Sequence, residues 1–185
     1  MATVAAQAPD LRIVLSDLYP NEAALRAVSG PNVDFVPSPI DATAVPRDLP
    51  GLRTMINAFH HLPPAAARAV LADAVAARRP IAIYEVVSRS PVHLVAMCAS
   101  PLSFALTLPL QRPLRPWNWL FTFVLPVLPA FVLWDGLVSW LRIYEPDELA
   151  ELVRDLGGDD WIWDLGRFPL GRGPGSGVYL EGWPR

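Results

Sequence analysis

The sequence predicts an α/β fold built on a doubly wound, mostly parallel sheet, and three observations carry that expectation. Short apolar runs at 12–17, 33–36, 52–57 and 81–85 alternate with helical patterns at 21–28 and 64–79. An unbroken apolar run is what a strand buried on both faces shows. Strands alternating with helices of this length are joined by right-handed crossovers into a parallel sheet. Finally, 185 residues with a hydrophobic fraction of 52% and a charged fraction of 18% suit one domain with a deeply buried core, so residues 1–185 are expected to form a single unit.

The elements follow in order. Ile13, Val14 and Leu15 run into Ser16-Asp17 and then Tyr19-Pro20-Asn21, a strand that ends on a carboxylate. Ala24, Leu25 and Val28 recur at helical spacing until Gly30-Pro31 stops the helix. The second strand, 33–36, opens into a proline-punctuated loop at 37–50 that contains Asp41-Ala42-Thr43. The third leads into Asn57-Ala58-Phe59-His60-His61-Leu62. The helix after it presents Val70, Leu71, Ala74 and Val75 on one face. Pro80 closes that helix, and the fourth strand ends at Glu85.

From Pro91 the pattern changes. Residues 91–110 and 117–134 are two nearly uncharged stretches joined by the basic, proline-rich 111–116, which makes 91–142 an apolar helical insertion in the domain. A helix at 146–156 carries Leu149, Leu152, Val153 and Leu156 on one side and stops at Gly157-Gly158. The tail reads as a β-hairpin, with strands at 161–167 and 178–182 and a glycine-rich turn at 171–177.

Composition removes several function classes. All fifteen basic residues are arginine, so a lysine Schiff base or a P-loop lysine is excluded. A net charge of -3 with scattered arginines offers no cationic stripe for nucleic acid. Cys98 is the single cysteine, which rules out an internal disulfide, leaves any cysteine cluster for metal to a second chain and accords with a reducing cytoplasm. Residues 1–10 lack a basic region and a long apolar core, so no signal peptide is expected there.

Strand and acid, helix, strand with Asp-Ala loop, strand with Asn-Ala-Phe-His-His, helix, strand ending in Glu: this order resembles the class I SAM-dependent methyltransferases, from their second to their seventh strand. The resemblance implies a Rossmann-like fold that binds S-adenosyl-L-methionine and transfers its methyl group to an acceptor, and the apolar stretch 91–142 adds the expectation that this acceptor is small and apolar. Asp17 matches the carboxylate that takes both ribose hydroxyls, with Leu18 beside it, because an ionised acid accepts two donors side by side. Read from the residues alone, Asp17 equally suits capping of the next turn. Asp41 matches the acid that accepts from the adenine amino group, with Ala42 leaving a flat approach to the ring; an ordinary turn aspartate fits almost as well. Asn57 and Ala58 fall at a strand end facing the crevice where open parallel sheets bind ligands. His60 or His61 is placed to act as general base, and paired histidines are a frequent variant in that family at this point. Helix capping and packing under the cofactor account for the two histidines as well. Glu85 is expected on the same crevice edge, against substrate or against an arginine. No metal ligand set is expected.

The chain departs from the family in one respect. Nothing before Arg12 resembles the family's first strand and Gly-x-Gly loop, and the stretch 171–177 has no helix after it to make a cofactor cradle. The missing strand belongs mid-sheet, between the strands ending at Asp17 and Asn57. A start codon placed downstream, an upstream chain that completes the sheet and a decayed copy are the three explanations; a shortened chain of a functional family is the favoured one. SAM binding by these 185 residues alone is accordingly expected to be weak or absent, and the chain's own activity with it.

Residues 117–134 would span about 27 Å as one helix, slightly short of a hydrocarbon core. Pro126 and Pro129 argue for a broken helix, since each removes a hydrogen bond at about 3 kcal/mol. Trp117, Trp119, Trp134 and Trp140 with Arg112, Arg115 and Arg142 suit an element lying in the headgroup region on the inner face of the cell membrane. A lid over an apolar pocket or a homo-oligomer interface would favour the same residues. A non-catalytic, membrane-associated protein that keeps the methyltransferase-like sheet as a scaffold is thus the alternative reading of function.

Overall fold

A computed structural model describes residues 10–28, 30–110 and 115–185. The basic linker expected at 111–116 falls largely outside these residues, Arg112 included, as do residues 1–9. The chain divides into two compact units, one up to Pro50 and one from Gly51.

In the first unit, strands β1 (Ile13–Leu15) and β2 (Val33–Phe35) pair in parallel, with Ile13 opposite Val33 and Leu15 opposite Phe35. Helix α1 (Glu22–Val28) connects them and begins where the Asn21 side chain accepts the Ala24 N–H at 3.1 Å, so an Asn caps the helix as its short polar side chain favours. Val33 is the one hydrophobic residue that is buried among the unit's described residues.

The second unit holds the larger core. Strand β3 (Arg53–Ile56) pairs in parallel with β4 (Ile81–Glu85), and helix α2 (Pro64–Ala76) makes the crossover, with Pro64 at its first turn, where a missing N–H costs nothing. The C-terminal hairpin, β5 (Trp161–Pro169) and β6 (Ser176–Pro184), adds to this sheet with β6 antiparallel to β4, giving the order β3-β4-β6-β5. The sheet is therefore parallel where a βα unit supplies the strands and antiparallel where the hairpin does.

One face of the sheet carries Ile81, Ile83, Val178 and Leu180, all buried, together with Phe59, Leu71 and Leu149 from the helical layer. Helix α6 (Pro146–Val153) packs on β5 and β6 and on α2. A capping box starts it: Glu148 accepts the Glu145 N–H at 2.9 Å while the Glu145 side chain accepts in return. Arg53 of β3 meets Asp73 of α2 at 2.7 Å with both side chains nearly buried. The other face presents Tyr84, Tyr179 and Phe168, and leaves Ile56 64% exposed.

Between β4 and α6 lies the apolar region. Helix α3 (Pro91–Thr107) is followed by a 3-10 turn at Leu108–Leu110. Helix α4 (Pro116–Trp119) continues as a π-helical turn, Leu120–Val124, and α5 (Val127–Arg142) follows. The break falls at Leu125-Pro126, and the two halves meet at 74°, as the proline hydrogen-bond deficit requires. Pro129 sits in the first turn of α5, where it removes nothing.

Candidate functional site

The first unit brings the loops of Asp17 and Asp41 together. Asp17 follows β1 and its Oδ1 accepts the Tyr19 N–H at 2.8 Å, so the aspartate shapes its own turn. The Ile40 N–H donates to the Asp17 carbonyl at 2.9 Å and the Val36 N–H to that of Leu15 at 2.8 Å, which stitches the loop carrying Asp41 beside the loop carrying Asp17. Asp41 Oδ1 accepts the Thr43 N–H at 2.8 Å and its hydroxyl at 2.7 Å. Those two bonds, the backbone one first, hold the Asp41 carboxyl below its ordinary value. In both aspartates Oδ1 is engaged by the turn, and both residues are exposed, with Leu18 and Ala42 next to them in the chain. A carboxylate fixed by its own turn is an acceptor that suits hydroxyl or amino recognition, as a ribose or an adenine requires.

The second unit gathers the other residues at the carboxyl ends of β3 and β4. Asn57 turns the chain with φ of 52°, a left-handed conformation that asparagine tolerates better than most residues. Its N–H donates to Tyr84 and its side-chain oxygen accepts from Val86, both at 2.8–2.9 Å, which locks the ends of the two strands together. Ala58 precedes the 3-10 turn Phe59–His61. Glu85 accepts from the Phe59 N–H at 2.8 Å, from the His60 N–H at 3.2 Å and, through its second oxygen, from His60 Nδ1 at 2.8 Å. Glu85 is 4% exposed and His60 7%. The carboxylate read from the sequence as facing substrate or an arginine is thus bound to a histidine and two amides of the same turn.

An ionised carboxylate only accepts, so Nδ1 of a neutral His60 carries the hydrogen and Nε2 holds the basic lone pair. The ring of His61 lies 4.1 Å from that of His60 and is exposed. Both line a cleft of about 500 Å³ whose other wall is Arg89, Arg142, Tyr144 and Glu148, with Leu141 and Ile143 supplying apolar surface. Tyr144 donates to the Leu62 carbonyl at 2.7 Å, fixing the α5–α6 junction over the turn, and burial followed by the Glu148 charge raises its hydroxyl above the usual phenol range. Burial pushes Glu148 up, but the Glu145 N–H and the Arg89 guanidinium outweigh it and hold the carboxyl low.

The sequence did not single out Arg89, Tyr144 or Glu148. Glu145-Pro146-Asp147-Glu148 carries a readable helix start, yet nothing in its spacing says that it faces a histidine turn more than eighty residues earlier.

The fold so defined is methyltransferase-like at the level of its elements. It is shared with solved structures of a pericyclic reaction enzyme, of LepI in complex with SAM and of a LepI variant in complex with SAH and a substrate analogue. Each matches over 100% of this chain at a TM-score of 0.54 and 15% identity, a likeness of fold. This chain spans 39% of the length of each of them. No protein-family model and no curated protein matches the sequence.

Proposed function

We propose that this chain is the cofactor-handling part of a SAM-dependent methyltransferase that acts on a small, apolar acceptor. The observation that carries the reading is the fold shared over the whole chain with structures solved with SAM and SAH. Bound SAM would supply an electrophilic methyl group, and the chain's residues would hold and orient the partners. In the first unit Asp17 and Asp41 take the ribose and adenine roles through their carboxylates, beside Leu18 and Ala42. In the second unit Asn57 and Ala58 serve the cofactor from the strand end. His60 is the base for an acceptor proton, and Glu85 is a positioning residue that sets its tautomer. His61, at the open side of the cleft, meets the acceptor.

The test is a titration of SAH into the isotopically labelled chain, followed by amide resonances. Shifts at Asp17, Leu18, Asp41, Ala42 and Ala58 with weak, millimolar affinity are expected, because the described residues hold no glycine-rich cradle for the methionine part. Shifts confined to other residues, or none at saturating SAH, would overturn the reading. The second reading, a membrane-associated scaffold without catalysis, is favoured by the exposed apolar surface of α3 to α5. It predicts no SAH response and no loss of function in Asp17→Asn.

A further inference from the structure

The apolar region is exposed in a way that helices inside a folded protein are not. Along α3 and its 3-10 turn, Val92, Val95, Leu102, Leu106 and Leu110 recur at three- and four-residue steps or their sum, with Leu106 70% and Leu110 80% exposed. Along α5, Val127, Phe131, Trp134 and Leu141 do the same, with Phe131 65% and Trp134 69% exposed. Between them, the α4 segment exposes Trp117, Trp119, Leu120, Phe121, Phe123, Val124 and Leu125. Only 11% of the most apolar stretch of Pro91–Leu110 is buried. Helices α3 and α5 pack on each other through their remaining faces, where Gly136 lets Met97 approach to 3.1 Å from its would-be Cβ. A continuous apolar surface of this size marks an interaction site.

Two hydroxyls of α3 are closed onto the helix's own carbonyls, as a hydrocarbon neighbour demands. Pro101 has no N–H to offer the Met97 carbonyl, and the Ser100 hydroxyl donates to that carbonyl at 2.7 Å. The exposed Thr107 hydroxyl is likewise turned back onto the Ser103 and Phe104 carbonyls, at 2.9 and 3.1 Å. In water these groups have solvent for a partner; in lipid an unmade backbone bond is expensive.

Charge selects the occupant. Residues 91–142 contain three arginines, at 112, 115 and 142, and one carboxylate, Asp135, in a chain whose net charge is -3. Arg115 and Arg142 are exposed, and so are Trp117 and Trp119, which follow Arg115 in the chain, and Trp134. Indole with guanidinium at the margin of aliphatic surface matches the headgroup boundary of an anionic bilayer. The 74° break and Asp135 both oppose a straight crossing.

We propose that α3, α4 and α5 form a monotopic arm that docks this protein on an anionic lipid surface, with the tip 117–125 and the two stripes entering the acyl boundary and Arg115 and Arg142 staying among the headgroups. Docking of this kind is independent of methyl transfer. It also places the cleft lined by Leu141, Arg142 and Ile143 at the membrane, where an acceptor with an apolar body is found.

Cys98 is the single cysteine and is exposed on α3, so the native chain takes one environment-sensitive fluorophore without substitution. The labelled protein is mixed with vesicles of phosphatidylcholine alone or with phosphatidylglycerol, then floated on a gradient. Co-flotation with the anionic vesicles, a blue-shifted emission and quenching by spin-labelled acyl chains are expected, with binding at least about tenfold weaker on neutral vesicles. The doubly substituted Leu106→Glu, Phe131→Glu chain, altered only at exposed positions, should keep its circular dichroism and lose flotation. A protein that stays at the bottom with unchanged emission overturns the proposal. A blue shift that grows with protein concentration in the absence of lipid overturns it too, in favour of a second copy of the chain on the same surface.

Discussion

Glu85 takes three hydrogen bonds in a place that water scarcely reaches, and this makes it the side chain on which the histidine turn depends. Glu85→Ala leaves two amides and an imidazole unpaired in the interior and should lower stability by about 3 kcal/mol or more, read from urea unfolding. Glu85→Gln, which keeps an acceptor for the amides, should cost clearly less; equal losses would mean that packing rather than hydrogen bonding is at stake. The residue itself was visible in the sequence, at the end of an apolar run. Its role was not, because a strand end in a parallel sheet faces the ligand crevice by default and the turn that occupies Glu85 lies 25 and 26 residues earlier in the chain. Asp17 and Asp41 were more legible: short turn-forming acids bond to the amide two residues on, and both do so here. Tyr84, which the sequence offered only as a strand residue, donates to Glu181 across the sheet, and that bond, then burial, raises its phenol to about 12. The folded protein therefore holds this proton where the unfolded chain has lost it. Its contribution to stability is complete below pH 10 and disappears as pH rises toward about 12. A tyrosinate absorbance titration should show one group ionising last, near 12, and Tyr84→Phe should remove it; ordinary titration of all four tyrosines would contradict the hydrogen bond.

At the scale of elements, periodicity and punctuation located most of the chain. The fourth strand runs Ile81–Glu85, α2 starts at Pro64, and the broken helix breaks at Leu125-Pro126, where proline chemistry puts it. The pairing of β6 between β4 and β5 was out of reach, since a hairpin can be read from its own residues while the strand it docks on cannot. Gly157 ends the α6 region with φ of 81°, and a Cβ there would meet that of Trp161 at 2.4 Å. Gly157→Ala should thus destabilise by about 2 kcal/mol through backbone strain and this clash, seen as a lower denaturant midpoint with an unchanged slope. An unaffected midpoint would show that the turn has another conformation available.

On the scale of the whole molecule, the chain joins a small unit with two exposed carboxylates on neighbouring loops, a larger unit whose histidine turn lines a cleft, and an arm of helices with an apolar exterior. The arm adds an apolar surface to these two units. The central claim is that Asp17 and Asp41 recognise the nucleoside of S-adenosyl compounds, and the most direct measurement compares SAH titrations of Asp17→Asn and Asp41→Asn with one of Asp34→Asn. Asp34 is also an exposed acid in the first unit, engaged by Arg12 at 2.6 Å. Loss of a charge-assisted hydrogen bond should weaken binding by about tenfold or more in the first two variants and leave the third at the parent value. Equal affinity in all three, or an equal loss, would contradict the assignment.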